Sequence, residues 1–398
     1  MVKICFEDIK FTDGDSSVVV TFLRMFTSAI DKSLLSKVGK SKVVDGCLEF
    51  TGVSDKELSN KFNPLLSRSF DSMKSILTGH DVIYVHRNSG IPLIGSIYFG
   101  IVDRGTNIIE VKPITGCNID CAFCSVDEGA SSRKMVDFVV EADYLVDEVK
   151  RVIAFKQKKV DVFINTHGEP LLYSPIVYLV REIRAIDEVN VISIITNGTL
   201  LTKSLADELV AAGLNQINIS INAFDDDIAK ELAGTSGYNI RHILEIARHI
   251  SKKIKTVIAP VWIKSKNDDQ IPKLIAFAKE IGADIGIQNY MVHRLGRKVS
   301  KQVEWEDFYA QLDEWEKQSG RSLKTTAHTA YETKPLEKPF RKGDVVKADI
   351  LCRGRMKKEM IAAAKGRVIS IIECTKEKGT VKLRIHKDKD NIFVAEEA

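Results

Sequence analysis

No stretch of this sequence is apolar for long enough to cross a membrane. The longest apolar-looking run, residues 90–102, is short and rich in glycine, whereas a spanning helix needs about 20 apolar residues. The N-terminus lacks a charged-then-apolar leader pattern, so the expectation is a cytoplasmic protein with no membrane partner. Cysteine is scarce, seven in 398 residues. That excludes the dense disulfide framework of a small secreted scaffold and fits a reducing compartment. A large excess of one charge is also missing, since the net is only +4. Its distribution is uneven, however. Residues 338–398 hold sixteen Lys and Arg against nine Asp and Glu, a net +7, which leaves −3 for the rest. Such asymmetry marks an appended basic module for an anionic partner, with a solvated basic face as the plain alternative.

What is present begins with cysteine spacing. Cys117, Cys121 and Cys124 fall within eight residues, spaced C-x3-C-x2-C, directly after the strand-like run Asn107 to Val111. Zinc sites want four Cys or His ligands in paired spacing, and no histidine lies between Ile108 and Asp161. A disulfide would use two of the three and strand the other. Iron–sulfur clusters are held by cysteine thiolates, and three close cysteines on one loop can converge on a cube with one iron left open. This spacing, with Phe123 just before the last cysteine, resembles the radical S-adenosylmethionine (radical SAM) superfamily. The resemblance implies a single 4Fe-4S cluster on these cysteines. Its open iron would chelate the amino and carboxylate groups of S-adenosyl-L-methionine (SAM), which one electron cleaves to methionine and a 5′-deoxyadenosyl radical. A low-potential electron donor such as ferredoxin or flavodoxin is implied as a partner.

With 44% hydrophobic residues and this length, the chain has material for two or three domains. From Ile108 onward strands and helices alternate. Strands are expected at 108–112, 160–165, 191–195, 216–221, 256–261 and 284–289. Helices are expected at 139–155, 175–185, 204–212, 240–250 and 271–281, where apolar residues recur three and four apart. Alternation of this kind argues for a parallel sheet with helices outside, chemistry collecting at the carboxyl ends of the strands. The fold class is therefore α/β, matching the partial (β/α)6 barrel of the radical SAM family, over residues 107–300.

The second strand is followed by Asn165-Thr166-His167-Gly168-Glu169-Pro170. It resembles the family's Gly-Gly-Glu-Pro stretch, in which backbone and Glu hold the SAM ammonium, with His167 standing in place of the first glycine. A carboxylate at a strand end suits a cation. The third strand ends in Thr196-Asn197-Gly198, and the fourth carries Ser220 and Asn222, which alternate to one side. By resemblance, Phe123, Gly168, Glu169, Asn197, Ser220, Asn222 and Gln288 contact SAM. Tyr290 and Cys352 are candidate catalytic groups, Cys352 as a hydrogen donor or methyl carrier.

Residues 1–106 read as an N-terminal α+β extension of unknown role, with strands at 18–22 and 81–86 and a helix at 67–77. Cys5 and Cys47 read as lone, buried small hydrophobes. Residues 301–337 read as a helical connector and linker. Its apolar stripe (Trp305, Phe308, Leu312, Trp315) has helical spacing and suits core or docking. Residues 338–398 read as a small OB-like β-barrel and resemble a TRAM domain, found on several RNA-modifying enzymes, through Lys342-Gly343-Asp344-Val345-Val346, Val381 to Ile385 and Asn391 to Glu396. Arg353, Arg355, Lys357 and Lys358 there, with Arg294 and Arg297 beside the barrel's last strand, are candidate RNA contacts. Methylthiotransferases that join these two parts carry three further N-terminal cysteines for a second cluster. Only Cys5 and Cys47 precede the motif here, so sulfur insertion by that route is not expected. The combination points to modification of RNA, above all a tRNA nucleoside. The alternatives are modification of a peptide or small metabolite, and an RNA-binding protein with a structural or redox-sensing cluster.

Overall fold

The computed structural model describes residues 1–324 and 330–398. Its centre is a sheet of six parallel strands laid side by side in chain order: Ile108–Lys112, Val160–Ile164, Val189–Thr196, Gln216–Ile219, Lys255–Ile258 and Asp284–Ile285. Gly100–Asp103 adds an antiparallel edge beside the first. Beyond short breaks, Val261–Trp262 and Gln288–Asn289 carry the last two strands on as a parallel pair. The strands are rich in Val and Ile and buried on both faces, as a parallel sheet covered by helices requires. The covering helices are Ala142–Lys156, Ile176–Arg184, Lys203–Ala211, Asp226–Ala233, Ile240–Ile250 and Gln270–Glu280. Ile240–Ile250 shows how each forms. Asn239 caps it by accepting from the His242 N–H (3.1 Å), and Ile240, Ile243, Leu244, Ile246, Ala247 and Ile250 make its buried face. Parallel strands bring every loop after a strand to one end, where the cysteines lie.

The boundary near residue 106 is not a clean cut. Gly100–Asp103, from the extension, belongs to the barrel sheet. Conversely Val136–Val140, which follows the cysteine loop, pairs in parallel with Asp81–Val85 of the N-terminal sheet. The run 136–140 is buried throughout, and its apolar residues merged in sequence with the following helix, expected from 139 and beginning at Ala142. The N-terminal helix is Asp55–Phe70, not 67–77. Ser54 caps it from the Glu57 N–H side, and Pro64 sits within it. Cys5 and Cys47 are not buried hydrophobes. Ile4 pairs with Leu48, which sets Cys5 directly opposite Cys47, and the two are joined as a disulfide at the end of their strands, Cys5 exposed and Cys47 half-buried.

Helix Trp305–Ser319 fills the first part of the connector. Its Phe308 stacks on Trp262 (5.9 Å, 30°) and Trp315 meets the same ring edge-on, so Phe308, Leu312 and Trp315 of the stripe are core, while Trp305 stays exposed. Of the connector, 325–329 lie outside the described residues. The C-terminal strands Val345–Arg353, Met360–Ala364, Arg367–Ile371, Val394–Glu397 and Gly379–Lys387 close into a barrel in that spatial order, around Phe340, Ile369, Leu383 and Phe393. This barrel is seated on the core rather than tethered to it. Val368 N–H donates to the Ile94 carbonyl (2.8 Å) and Phe393 N–H to the Gly95 carbonyl (3.0 Å). Gly95 has φ +127°, and a β-carbon there would lie 2.2 Å from the Val368 oxygen. Only glycine permits that approach.

Candidate active site

The loops at the carboxyl ends of the strands enclose a cavity of about 310 Å³. Cys117, Cys121, Phe123, Cys124, Gly168, Glu169, Asn197, Ser220, Asn222, Gln288 and Tyr290 all line it. The fold therefore gathers the expected cluster and SAM residues, spread over more than 170 positions, onto one wall system. Cys352 does not line it.

The cysteine loop is fastened from three sides. Gly116 and Gly168 form a parallel bridge: Gly116 N–H donates to the His167 carbonyl (3.2 Å), and Glu169 N–H to the Gly116 carbonyl (2.9 Å). The His167 ring turns away, meets Tyr98 edge-on at 5.6 Å and takes no part in lining the cavity. Histidine is tolerated in place of a glycine because the close approach is made by Gly168. On the second side, Asp120 and Ala122 N–H groups donate to the Ala233 and Leu232 carbonyls at the end of helix Asp226–Ala233. On the third, Arg297 donates to the carbonyls of Asp120 (2.7 Å), Cys121 (2.9 Å) and Glu128 (3.0 Å) and pairs with Asp120 and Asp127, while its own N–H reaches the Cys124 carbonyl. Arg297 is thus a clamp on the cysteine loop, not an RNA contact. Sequence alone could not separate it from the basic residues around it.

Glu169 is fully buried. It accepts from Thr196 Oγ1 (2.6 Å), Asn197 N (2.7 Å) and Leu171 N (3.0 Å), yet burial outweighs these bonds and pushes its carboxyl up to about 7. Asn197 donates to Cys117 Sγ (3.8 Å) and Asn118 Oδ1 (3.0 Å). Asn222 spends its side-chain oxygen on Val261 N–H (2.8 Å), so only its amide nitrogen is free to face the cavity. Tyr290 is also committed, donating to the Arg297 carbonyl (2.9 Å) and accepting from Val299 N–H (3.1 Å). Its role is to hold the loop that carries Arg297, which corrects the expectation of a free catalytic hydroxyl. Cys352 lies half-buried in the C-terminal barrel, its thiol pushed up to about 12 by burial, far from nucleophilic.

The residues present fit a cluster and SAM. Cys117, Cys121 and Cys124 are free thiols. Burial raises Cys117 strongly and Cys121 to about 12; a bound cationic centre would favour their thiolates, as for metal ligands. Among the described residues no three His, Cys, Asp or Glu groups converge as ligands of a single ion, and a cube spreads its sulfurs more widely than one ion does. Thr166 Oγ1 and Asn289 Oδ1 line the cavity, buried and without a protein partner, as expected of walls that a polar ligand completes.

Of the candidate RNA contacts, Arg294, Lys357 and Lys358 are exposed. Arg353 is exposed but ion-paired with Asp81. Arg355 is wholly buried, between Glu128 and Asp137. It cannot touch a nucleic acid. An Arg-Gly-Arg turn looks the same in sequence whether it faces water or the core.

Parallel strands in this order, with three cysteines after the first and Gly-Glu-Pro after the second, define a radical SAM enzyme. The chain belongs to the radical SAM superfamily, whose profile matches residues 111–278, and its cofactors are a 4Fe-4S cluster and SAM. It is similar to an uncharacterized protein of Methanocaldococcus jannaschii, 39% identical over 360 residues, covering 82% of this chain and 83% of that protein. It is also similar to the GTP 3',8-cyclase of Lactiplantibacillus plantarum, 36% identical over 182 residues, covering 45% of this chain and 52% of the cyclase. The chain thus spans about half the length of that cyclase. Among solved structures, Streptococcus suis SuiB matches with a TM-score of 0.42 and 15% identity, over 79% of this chain and 69% of SuiB. No helix among the described residues is long and apolar enough to cross a membrane.

Proposed function

We propose that this radical SAM enzyme modifies RNA, with a tRNA nucleoside as substrate, using one cluster held by Cys117, Cys121 and Cys124. When bound, the cluster and SAM supply a 5′-deoxyadenosyl radical that removes hydrogen from the substrate. The protein's part is to bind, orient and exclude water. The Glu169 carboxylate receives the SAM ammonium, its geometry set by Thr196 and the Asn197 and Leu171 N–H groups. Ser220, Gln288 and the amide nitrogen of Asn222 supply polar contacts, and Phe123 and Ile119 close the wall against solvent.

The observation that carries the RNA half is the outer face of the C-terminal barrel. Lys347 and Lys382 stand directly opposite one another in the register of their strands, both exposed, with Arg384 two residues further along. Neither lysine has an ion-pair partner among the described residues. Like charges in facing positions cost stability, a cost that a row of phosphates reverses. A closed five-stranded barrel with such a face supports the TRAM-like, OB-like reading. Lys357 and Arg294 are exposed as well, and Lys358 is exposed but ion-paired with Glu373.

The likeness to a GTP 3',8-cyclase favours a second reading, in which the substrate is a small nucleotide and the barrel serves as a lid or assembly surface. One experiment separates the two. The protein is reconstituted anaerobically with iron and sulfide, reduced, given SAM, and assayed for 5′-deoxyadenosine with bulk tRNA, with GTP, or with neither. Stimulation by tRNA that fades with added salt supports the first reading. Stimulation by GTP alone moves the assignment to the second. A fully loaded cluster that cleaves no SAM under any condition sinks both.

A further inference from the structure

Arg355 belongs to the turn between the first two strands of the C-terminal barrel, yet its side chain lies entirely inside the core domain. Its Nε donates to the Val136 carbonyl (3.0 Å). Nη1 and Nη2 both reach the Glu128 carboxylate, and Nη2 also reaches Asp137 Oδ1 (2.7 Å). Its backbone carbonyl accepts from Met135 N–H (2.8 Å). Both carboxylates are buried; Glu128 belongs to the loop that carries the cysteines, and Asp137 to the strand Val136–Val140 that receives the end of that loop. Glu128 also pairs with buried Lys134, lines the cavity, and donates its backbone N–H to Cys124 Sγ at 3.3 Å. Asp137 accepts from Thr115 Oγ1 (3.1 Å), two residues before Cys117, and from Thr78 Oγ1 (2.7 Å) in the turn before Asp81–Val85. A bidentate guanidinium is the residue type that fixes two carboxylates in one plane.

We propose that Arg355 is a positioning residue for the cluster: the C-terminal barrel, through Arg355 and Glu128, sets the place of Cys124 and the N–H···S hydrogen bond that it receives. Hydrogen bonds to ligating sulfurs are among the protein's means of setting a cluster's reduction potential. The barrel is in this respect part of the catalytic unit, whatever substrate it meets on its outer face. The inference rests on the reading of Cys124 as a cluster ligand.

The test uses the full chain with Arg355→Lys, which keeps the charge but loses the fork, and Arg355→Met, which removes both. Circular dichroism and a melting curve establish the fold of each. In the metal-free protein, alkylation by iodoacetamide is followed at each cysteine by mass spectrometry. In the reconstituted protein, the reduction potential and the electron paramagnetic resonance spectrum are recorded. For Arg355→Met, labelling of Cys124, whose sulfur alone receives the Glu128 N–H, rises about tenfold relative to Cys121, as expected when charged hydrogen bonds that hold a local segment are lost. The reduction potential falls, and Arg355→Lys lies between it and the unaltered protein. Should Arg355→Met fail to fold, Arg355→Lys alone decides the matter by the same readouts. Equal labelling gains at all three cysteines, or an unchanged Cys124 and potential in a folded variant, overturn the proposal. Cys124→Ala tests the underlying assignment separately: retention of full iron and an unaltered spectrum there would mean that Cys124 is no ligand.

Discussion

The α-carbon of Gly168 lies so close to Gly116 that a β-carbon on it would stand 1.8 Å from the Gly116 carbonyl oxygen. At φ +135°, Gly168 also occupies a region that side chains rarely adopt. The strand-2 loop and the cysteine loop are therefore joined backbone to backbone, and Glu169 is placed by that contact. Gly168→Ala forces the loops apart. The strain is about 1–3 kcal/mol, and SAM cleavage falls by more than about 100-fold, the scale of a misplaced reacting geometry. Scanning calorimetry and deoxyadenosine assay check both. A variant that cleaves SAM normally would refute the contact's importance.

Arg297 separates two roles that look alike in sequence. Arg297→Met removes charged bonds worth roughly 1.5–3 kcal/mol each and leaves the cysteine loop poorly held. Iron retained per chain after desalting drops, while tRNA affinity in a filter-binding assay stays the same. The opposite pattern, full iron with weakened tRNA binding, would restore Arg297 as an RNA contact.

Glu169 predicts a pH dependence. Burial pushes its carboxyl up to about 7, and a cationic ammonium is held by the ionised form. As pH falls below 7 the acid protonates, and SAM affinity drops by about tenfold per pH unit. Equilibrium dialysis of SAM against the reconstituted protein from pH 8 to 5.5 shows the trend. Glu169→Gln binds more weakly throughout and flattens the profile. A flat profile for the unaltered protein would remove Glu169 from that role.

Lys347→Ala together with Lys382→Ala relieves the facing like charges, so the barrel's melting temperature holds or rises. Affinity for tRNA falls, and the slope of log affinity against log salt shrinks by about 1–2. Deoxyadenosine formation without RNA is unchanged. Unaltered tRNA binding would move the RNA surface off this face.

The barrel strands and the site residues on them were readable because each signal is local. Cysteine spacing, Gly-Glu-Pro and period-2 runs need no partner to be recognised. The misreadings came where a partner decides. Val136–Val140 is a strand because Asp81–Val85 lies beside it; alone, its apolar run passes for the start of a helix. Met360–Ala364 is alanine-rich and pairs on both sides inside the C-terminal barrel, so its own sequence carries little strand propensity. Helix Asp226–Ala233 was not expected: it is short, and its one local signal is the cap, Asp225 accepting from Asp227 and Ile228 N–H. Arg355 and Arg297 were misassigned for the same reason. Charge count reports composition, whereas burial is settled by residues far along the chain, such as Glu128 for Arg355.

The cysteine loop is strung between two different sheets, its entry on Ile108–Lys112 of the parallel sheet and its exit on Val136–Val140 of the N-terminal one. During synthesis Asp81–Val85 waits for residue 136 before it gains its second neighbour, and the first barrel strand, already beside Gly100–Asp103, waits for residue 160 before it gains its parallel one. Both sheets must close before the loop has fixed ends, at a synthesis rate of about 5–20 residues per second. The thiols are therefore brought together only after their own loop and both of its anchoring sheets have been made. A nascent polypeptide carries three separate cysteines, and the loop that holds them is fully fastened only once Arg297, well past the middle of the chain, has been made. Cluster delivery would then follow folding rather than direct it.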